Sequence, residues 1–201
     1  MLTLRSSPPS PFGRKVKIAA KVLGLWDSIN VVMTDTADPD DSIRRQNPLG
    51  KIPALILEDG RALFDSRVIL EYLDDRAGGG RIIPKGPSRF DVLTQQALAD
   101  GLLDAALLLV YEKRWREADK HEQKWVAHQR GKVERSLAVL EALPPAPPTA
   151  VPDVGQVTVA CALGYLDLRF EGEWRAAHPR LVAWLAAFEK AVPAFAETAP
   201  T

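Results

Sequence analysis

Apolar residues in the first third of the chain change their spacing several times, and each change marks an element. Leu2 and Leu4 alternate with Thr3 and Arg5 as in a strand, after which Phe12, Val16, Ala19 and Leu23 recur at helical spacing until Gly24 stops the run. Ile29 to Met33 is a β-branched run suited to a second strand, and the helix between provides the crossover that parallel pairing with the first requires. A short polar helix is predicted over residues 40–46. Residues 54–57 and 62–64 flank Glu58-Asp59-Gly60-Arg61, a hairpin turn with Asp-Gly at its centre. A helix from Ser66, with Ile69, Tyr72 and Leu73 on one face, then runs to the Gly78-Gly79-Gly80 stop. The order βαβ, then ββα, is complete by residue 77.

Glycines and prolines make residues 78–87 a linker, and every periodic segment beyond it is helical. One helix is predicted from Ser88 to Trp115, and a second from Asp119, whose spacing to Glu122 is that of a capping-box variant, ending before Pro144. Residues 144–152 hold five prolines and read as a surface loop. Asp153 caps a buried-looking helix to about Leu168, and Pro179 opens another with an apolar stripe of Leu181, Trp184, Leu185 and Phe188. The Pro/Thr-rich tail is expected to fray. The chain thus divides into an α/β domain, 1–77, a linker, 78–87, and an all-α domain, 88–201.

Composition narrows the partners. Apolar residues make up 46% of the 201, enough to bury real cores. Lys plus Arg and Asp plus Glu number 26 each, so no net field favours nucleic acid or an anionic membrane surface. The apolar stretch 102–110 carries an aspartate and is shorter than a membrane span. No secretion signal is read at the start, and Cys161 alone forms neither a disulfide framework nor a zinc site, so the expected setting is reducing and cytoplasmic. Amid Ala160, Ala162 and Leu163, Cys161 reads as an inert core residue.

The candidate chemistry sits at element junctions. Ser10-Pro11-Phe12 joins the first strand to the first helix, where Ser10 is a good N-cap, Pro11 suits the first turn and unpaired amides present positive potential. A thiol with a free pKa of about 8.5 is mostly protonated at neutral pH. Lowering that by roughly two units takes about 2.7 kcal/mol, within reach of one hydroxyl donor plus the helix dipole. On the serine alone, a plain helix cap is the commoner role. Serine-nucleophile hydrolysis is set aside, because no Gly-x-Ser-x-Gly elbow exists and the three histidines are assigned to helices elsewhere.

Two further junctions accompany it. Asn47-Pro48-Leu49-Gly50-Lys51-Ile52-Pro53 ends where the hairpin begins, and a cis bond before Pro53 would leave the Ile52 backbone free to pair with an extended peptide. Asp65-Ser66 opens the next helix with cap-competent residues, a hydroxyl facing outward to receive a carboxylate and an aspartate to accept from an ammonium group. Either pattern alone is ordinary.

In this order the three elements resemble glutathione transferases, over essentially the whole chain. Ser10-Pro11-Phe12 with Arg14-Lys15-Val16 is similar to the active-site segment of the serine classes, especially tau and related bacterial members; the omega class has cysteine where Ser10 stands. The resemblance implies a thioredoxin-like first domain and a helical second one. It implies Ser10 as the thiolate-stabilising residue, Ile52-Pro53 as the cis-proline element holding the cysteinyl part of glutathione, Lys51 facing the glycyl carboxylate, and Asp65-Ser66 binding the γ-glutamyl end, followed by Val68-Ile69-Leu70-Glu71-Tyr72-Leu73. One departure is Asp153-x-x-Gln156, where the family usually has Ser/Thr-x-x-Asp. An electrophile pocket is expected between the domains, near Phe12, Tyr111, Arg114 and Trp115.

The function so implied is conjugation of reduced glutathione to a small apolar electrophile. Glutathione is then a co-substrate, with no further cofactor and no metal, and the assembly a homodimer. The alternatives are glutathione-dependent reduction or peroxide removal, disfavoured by the lack of a cysteine at position 10, and a non-catalytic binding module of the same fold.

Overall fold

The computed structural model describes residues 1–200. Strand β1 (Leu2–Ser6) leads into helix α1 (Pro11–Val22), which returns the chain to β2 (Ile29–Met33), parallel to β1. After a single helical turn, α2 (Ile43–Gln46), the hairpin β3 (Ala54–Ile56) and β4 (Ala62–Leu63) completes a four-stranded mixed sheet of order β2-β1-β3-β4. Helix α3 (Ser66–Arg76) closes the unit. Leu2, Leu4, Val16, Ala19, Leu55, Ile69, Leu70 and Leu73 form its core, with every one of these side chains lost from solvent except for traces. This is a thioredoxin-like domain.

Arg5 fixes the loop behind the sheet. Buried on β1, it donates from Nε to Thr34 Oγ1 at 2.8 Å and from Nη2 to Asp41 Oδ1 at 2.6 Å, while Nη1 reaches Ser42 and Gln46. A buried guanidinium is tolerable only with its donors met, and here the partners span residues 34–46. The predicted helix over 40–46 shortens to its last turn because Asp41 and Ser42 are used to hold Arg5.

The helical part comprises α4 (Arg89–Trp115), α5 (Gln123–Ala142), α6 (Val154–Phe170), α7 (Pro179–Ala191) and α8 (Ala194–Glu197). By length and composition α4 is the one helix among the described residues apolar enough to cross a membrane, and it is the core helix against which α5 and α6 pack through Leu102, Leu103, Ala106 and Leu109. Helix α6 is buried nearly all round, as a central helix must be.

Two expectations are corrected. The second long helix starts at Gln123 and not at Asp119, because residues 118–120 form a 3₁₀ turn and Glu122 takes the cap: its carboxylate accepts from Lys124 N while buried Glu112 accepts from Glu122 N, each at 3.0 Å. The tail through residue 200 is docked, not frayed, and Thr201 lies outside the described residues. Phe195 meets Phe188 edge-on at 5.6 Å, its carbonyl accepts from Arg14 at 2.6 Å, and the Thr198 hydroxyl donates to Ala194 O at 2.7 Å.

The segment 78–87 also does more than link. Asp74 accepts from the amides of Gly80, Arg81 and Ile82, and Ile82 and Ile83 sink into the sheet domain's core beside Val154 from α6. Ile18 of α1 reciprocates by joining the helical core. The two cores interlock across the domain boundary.

Candidate functional site

Strand register brings the three candidate loops to one end of the sheet. The ladders end at Arg5 paired with Ala54 and Leu55 paired with Leu63, so Ser6, Pro53 and Asp65, one or two residues past these pairs, lie at the same end of the sheet. Those three positions begin the loop to Ser10, end Lys51-Ile52-Pro53 and begin Asp65-Ser66. At about 4.8 Å between strands the row spans roughly 10 Å. Helices α1 and α3 both start here, with their unpaired amides toward the same edge.

Ser10 caps α1. Its Oγ accepts from Gly13 N at 3.1 Å, and no acceptor among the described residues takes its proton, so the hydroxyl is free to donate to a ligand. Gly13 is what lets the turn close: a Cβ there would lie 2.2 Å from the Ser6 Oγ and 3.3 Å from Ser10 Oγ. Sequence inspection passes over Gly13, since nothing in its neighbours reveals that Ser6 packs beneath it.

The Ile52–Pro53 bond is cis, and so is Phe64–Asp65. Neither the amide nor the carbonyl of Ile52 hydrogen-bonds within the described residues. Buried Asn47 braces the loop, donating to Lys51 O at 2.9 Å and accepting from Leu49 N at 3.0 Å. Lys51 itself is exposed.

At the third loop, Asp65 caps α3 by accepting from Arg67 N at 3.0 Å. Ser66 is not outward-facing as expected but 2% exposed, because it precedes Ile69 and Leu70 by one turn and shares their core-directed face. Its hydroxyl makes no hydrogen bond within the described residues and is not sealed from solvent.

Behind this edge lies an ion cluster that no sequence pattern announced. Lys15 of α1, fully buried, pairs with Asp100 Oδ1 of α4, and Arg67 of α3 reaches Asp100 Oδ2 at 3.1 Å. Asp104, one turn along α4, is held above the ordinary carboxylate range by loss of solvent and by the Asp100 charge, against the pull of Arg67, Lys51 and Lys15. The cluster ties α1, α3 and α4 together beneath the row of loops.

The crevice beside Ser10 is lined by Pro8, Pro9, Tyr165 and Leu168. Burial pushes the Tyr165 phenol above its usual range. Of the residues expected around an electrophile, Phe12 packs on the helical core with Lys15 Nζ 5.4 Å from its ring, and Arg114 lies over Tyr111 at 5.6 Å. Trp115 is 64% exposed at the end of α4. None of these four lines the crevice; Tyr165 and Leu168 of α6, which do, carry no distinguishing spacing in sequence. His121 and His178 flank helices, and only His128 lies within one.

The fold and this edge define a thioredoxin-like domain carrying an all-helical partner, with three loops and two helix starts gathered at one end of the sheet. The family model for the glutathione S-transferase N-terminal domain matches residues 9–76, and that for the glutathione S-transferase C-terminal domain matches residues 123–187. The uncharacterized GST-like protein YibF of Escherichia coli K12 is 34% identical over 186 residues, 90% of each chain. A glutathione transferase family member from Pseudomonas fluorescens Pf-5, solved with bound glutathione, superposes with a TM-score of 0.91 at 41% identity over 100% of both chains. A Pseudomonas fluorescens Pf-5 family member with bound S-(propanoic acid)-glutathione gives 0.87 at 40%, again over the full length of both. The chain belongs to the glutathione S-transferase family.

Proposed function

We propose that this protein binds reduced glutathione across the row of loops, stabilises its thiolate through the Ser10 hydroxyl and transfers the sulfur to a small apolar electrophile. The observation that carries this is the shared sheet end: the loops after β1, before β3 and after β4 leave adjacent strands there, over about 10 Å, the reach of an extended tripeptide. The glutathione-bound relative at 41% identity supports the ligand.

In this reading the Ile52 backbone pairs with the cysteinyl unit as an added strand, Lys51 meets the glycyl carboxylate, and Asp65 and Ser66 hold the γ-glutamyl ammonium and carboxylate. Ser10 Oγ, already accepting from Gly13 N, has its proton to give. Sulfur attacks the electrophilic carbon, a carbon–sulfur bond forms as the leaving group departs with its electron pair, and the thiol proton passes to solvent. Tyr165 and Leu168 flank the approach to Ser10 along which the electrophile comes, with Tyr111 and Arg114 beyond.

Reduction through a protein mixed disulfide is not supported, since the single cysteine is 1% exposed within the helical core. Ser10→Ala removes one hydrogen bond to a charged atom, worth about 1.5–3 kcal/mol, so turnover of an aryl halide is expected to fall at least about tenfold. Glutathione affinity, by calorimetry, is expected to change less than about threefold. Equal turnover by the variant and wild type would remove Ser10 from its role, and absence of glutathione binding by wild type would favour a non-catalytic module.

A homodimer in a reducing cytoplasmic setting is part of the same proposal, the setting motivated by one unpaired, buried cysteine. Light scattering is expected to give twice the 22.1 kDa chain mass at micromolar concentration; a monomer mass refutes the dimer.

A further inference from the structure

A cavity of about 260 Å³ lies on the helical side of α1, lined by Arg14, Gly164, Asp167, Val182, Leu185 and Phe195, with exposed Arg175, Ala186 and Glu189 at its mouth. It is separate from the Ser10 crevice, with Arg14 and Gly164 forming the wall between them.

The charges around it do not balance locally. Arg175 is satisfied by Asp167 through two bonds, Nε to Oδ1 at 2.8 Å and Nη2 to Oδ2 at 2.6 Å. Arg14 is 7% exposed and has no carboxylate within 4.0 Å among the described residues. Among the described residues its guanidinium makes a single hydrogen bond, from Nη2 to the Phe195 carbonyl, and stacks on the Phe195 ring at 3.8 Å, while Nε is sealed and has no partner. Among the described residues Nη1 has no acceptor either; it faces Gly164, where a Cβ would stand 2.8 Å from it, and the glycine keeps that nitrogen uncovered. Burial depresses the Arg14 pKa, with the charges of Cys161 and then Glu189 opposing. A nearly buried cation without a counter-ion is costly, and natural structures pair such groups.

We propose that this cavity is a binding site for a small organic monocarboxylate, its carboxylate meeting the Arg14 guanidinium and its apolar body packing on Val182, Leu185 and Phe195. Ala186 and Glu189 control entry, and Glu189 competes with the ligand for the same cation. The site is independent of the thiol site, because Ser10 faces the other side of the Arg14 wall.

Calorimetry of the full-length protein with cyclohexylacetate and with its neutral counterpart 2-cyclohexylethanol tests this. The acid is expected to bind about tenfold or more tightly than the alcohol, because only it makes a charge-assisted bond. Arg14→Gln is expected to erase that preference. Since Arg14 also anchors α8, Ala186→Trp, at an exposed rim position, provides a second arm: it fills the cavity and is expected to abolish binding of both compounds in a protein whose circular dichroism is unchanged. Glu189→Gln is expected to tighten acid binding about threefold by removing a competing charge. Ser10→Ala is expected to change neither affinity. Equal affinities for acid and alcohol, no heat at millimolar acid, acid binding that survives Ala186→Trp, or acid binding that is lost with Ser10→Ala would each overturn the site.

Discussion

Cys161 shows how position decides the chemistry of a reactive residue. It sits on α6 among fully buried neighbours, and desolvation pushes its thiol up to about 11, outweighing the favourable charges of Arg14 and Lys15. At neutral pH the thiolate, the only nucleophilic form, is therefore a negligible fraction. Iodoacetamide is expected to leave the native protein unmodified over hours and to add one carbamidomethyl group in denaturant, as read by intact mass; alkylation of native protein at the rate of a free thiol would contradict the packing. Ser10 could be singled out in sequence because a cap and a following proline are local features. Gly13 could not, since its need for a bare Cα comes from Ser6, a residue of β1 lying under the turn. The inward turn of Ser66 was concealed for a similar reason: a cap residue's own type does not say which face of its helix it joins.

At the scale of elements, α6 shows what a buried helix start requires. Asp153 accepts from Gln156 N at 2.9 Å and Gln156 Oε1 accepts from Asp153 N at 3.2 Å, so both halves of the capping box are closed. Gln156 Nε2 also donates to Ala146 O at 2.9 Å and pins the proline loop. Burial nevertheless raises the Asp153 pKa above its ordinary 3.8, more than the amides of Gln156 and Gly155 lower it. The native state then holds that proton more tightly than the unfolded chain, so this carboxyl's contribution to stability declines as pH rises from the ordinary value through the raised one. Asp153→Asn keeps the cap oxygen and carries no charge. It is expected to equal or exceed wild type in urea unfolding near neutral pH and to lose that decline, whereas Asp153→Ala is expected to lose about 1 kcal/mol. A less stable Asn variant near neutral pH would refute the assignment of burial as the dominant effect. This box was readable from spacing, as were Ser88, Pro179 and the run of prolines. The start of α5 was not, because Glu122 is selected over Asp119 by Glu112, which lies on another helix.

For the whole molecule the decisive contact is one that periodicity treats as an anomaly. Lys15 falls on the buried side of α1 and Asp100 on the buried side of α4, each a polar break in an otherwise apolar pattern, and neither break is intelligible until the two helices meet. Together with Ile18 in the helical core and Val154 in the sheet core, the pair makes the domains a single structural unit, so urea unfolding is expected to be one transition. Asp100→Ala leaves the Lys15 ammonium buried opposite a methyl group, while half-exposed Arg67 relaxes into water. Removing one member of a buried pair typically costs about 3–5 kcal/mol, whereas replacing both with apolar groups of similar volume is often neutral. The expectation is therefore a large loss of urea stability for Asp100→Ala and recovery of most of it in Lys15→Met/Asp100→Leu. A single variant within about 0.5 kcal/mol of wild type would show that Asp104, the neighbouring carboxylate, suffices for Lys15. Recovery in the double variant without recovery of glutathione turnover would separate the pair's part in joining the domains from its position beneath the row of loops, where Arg67 adjoins Ser66.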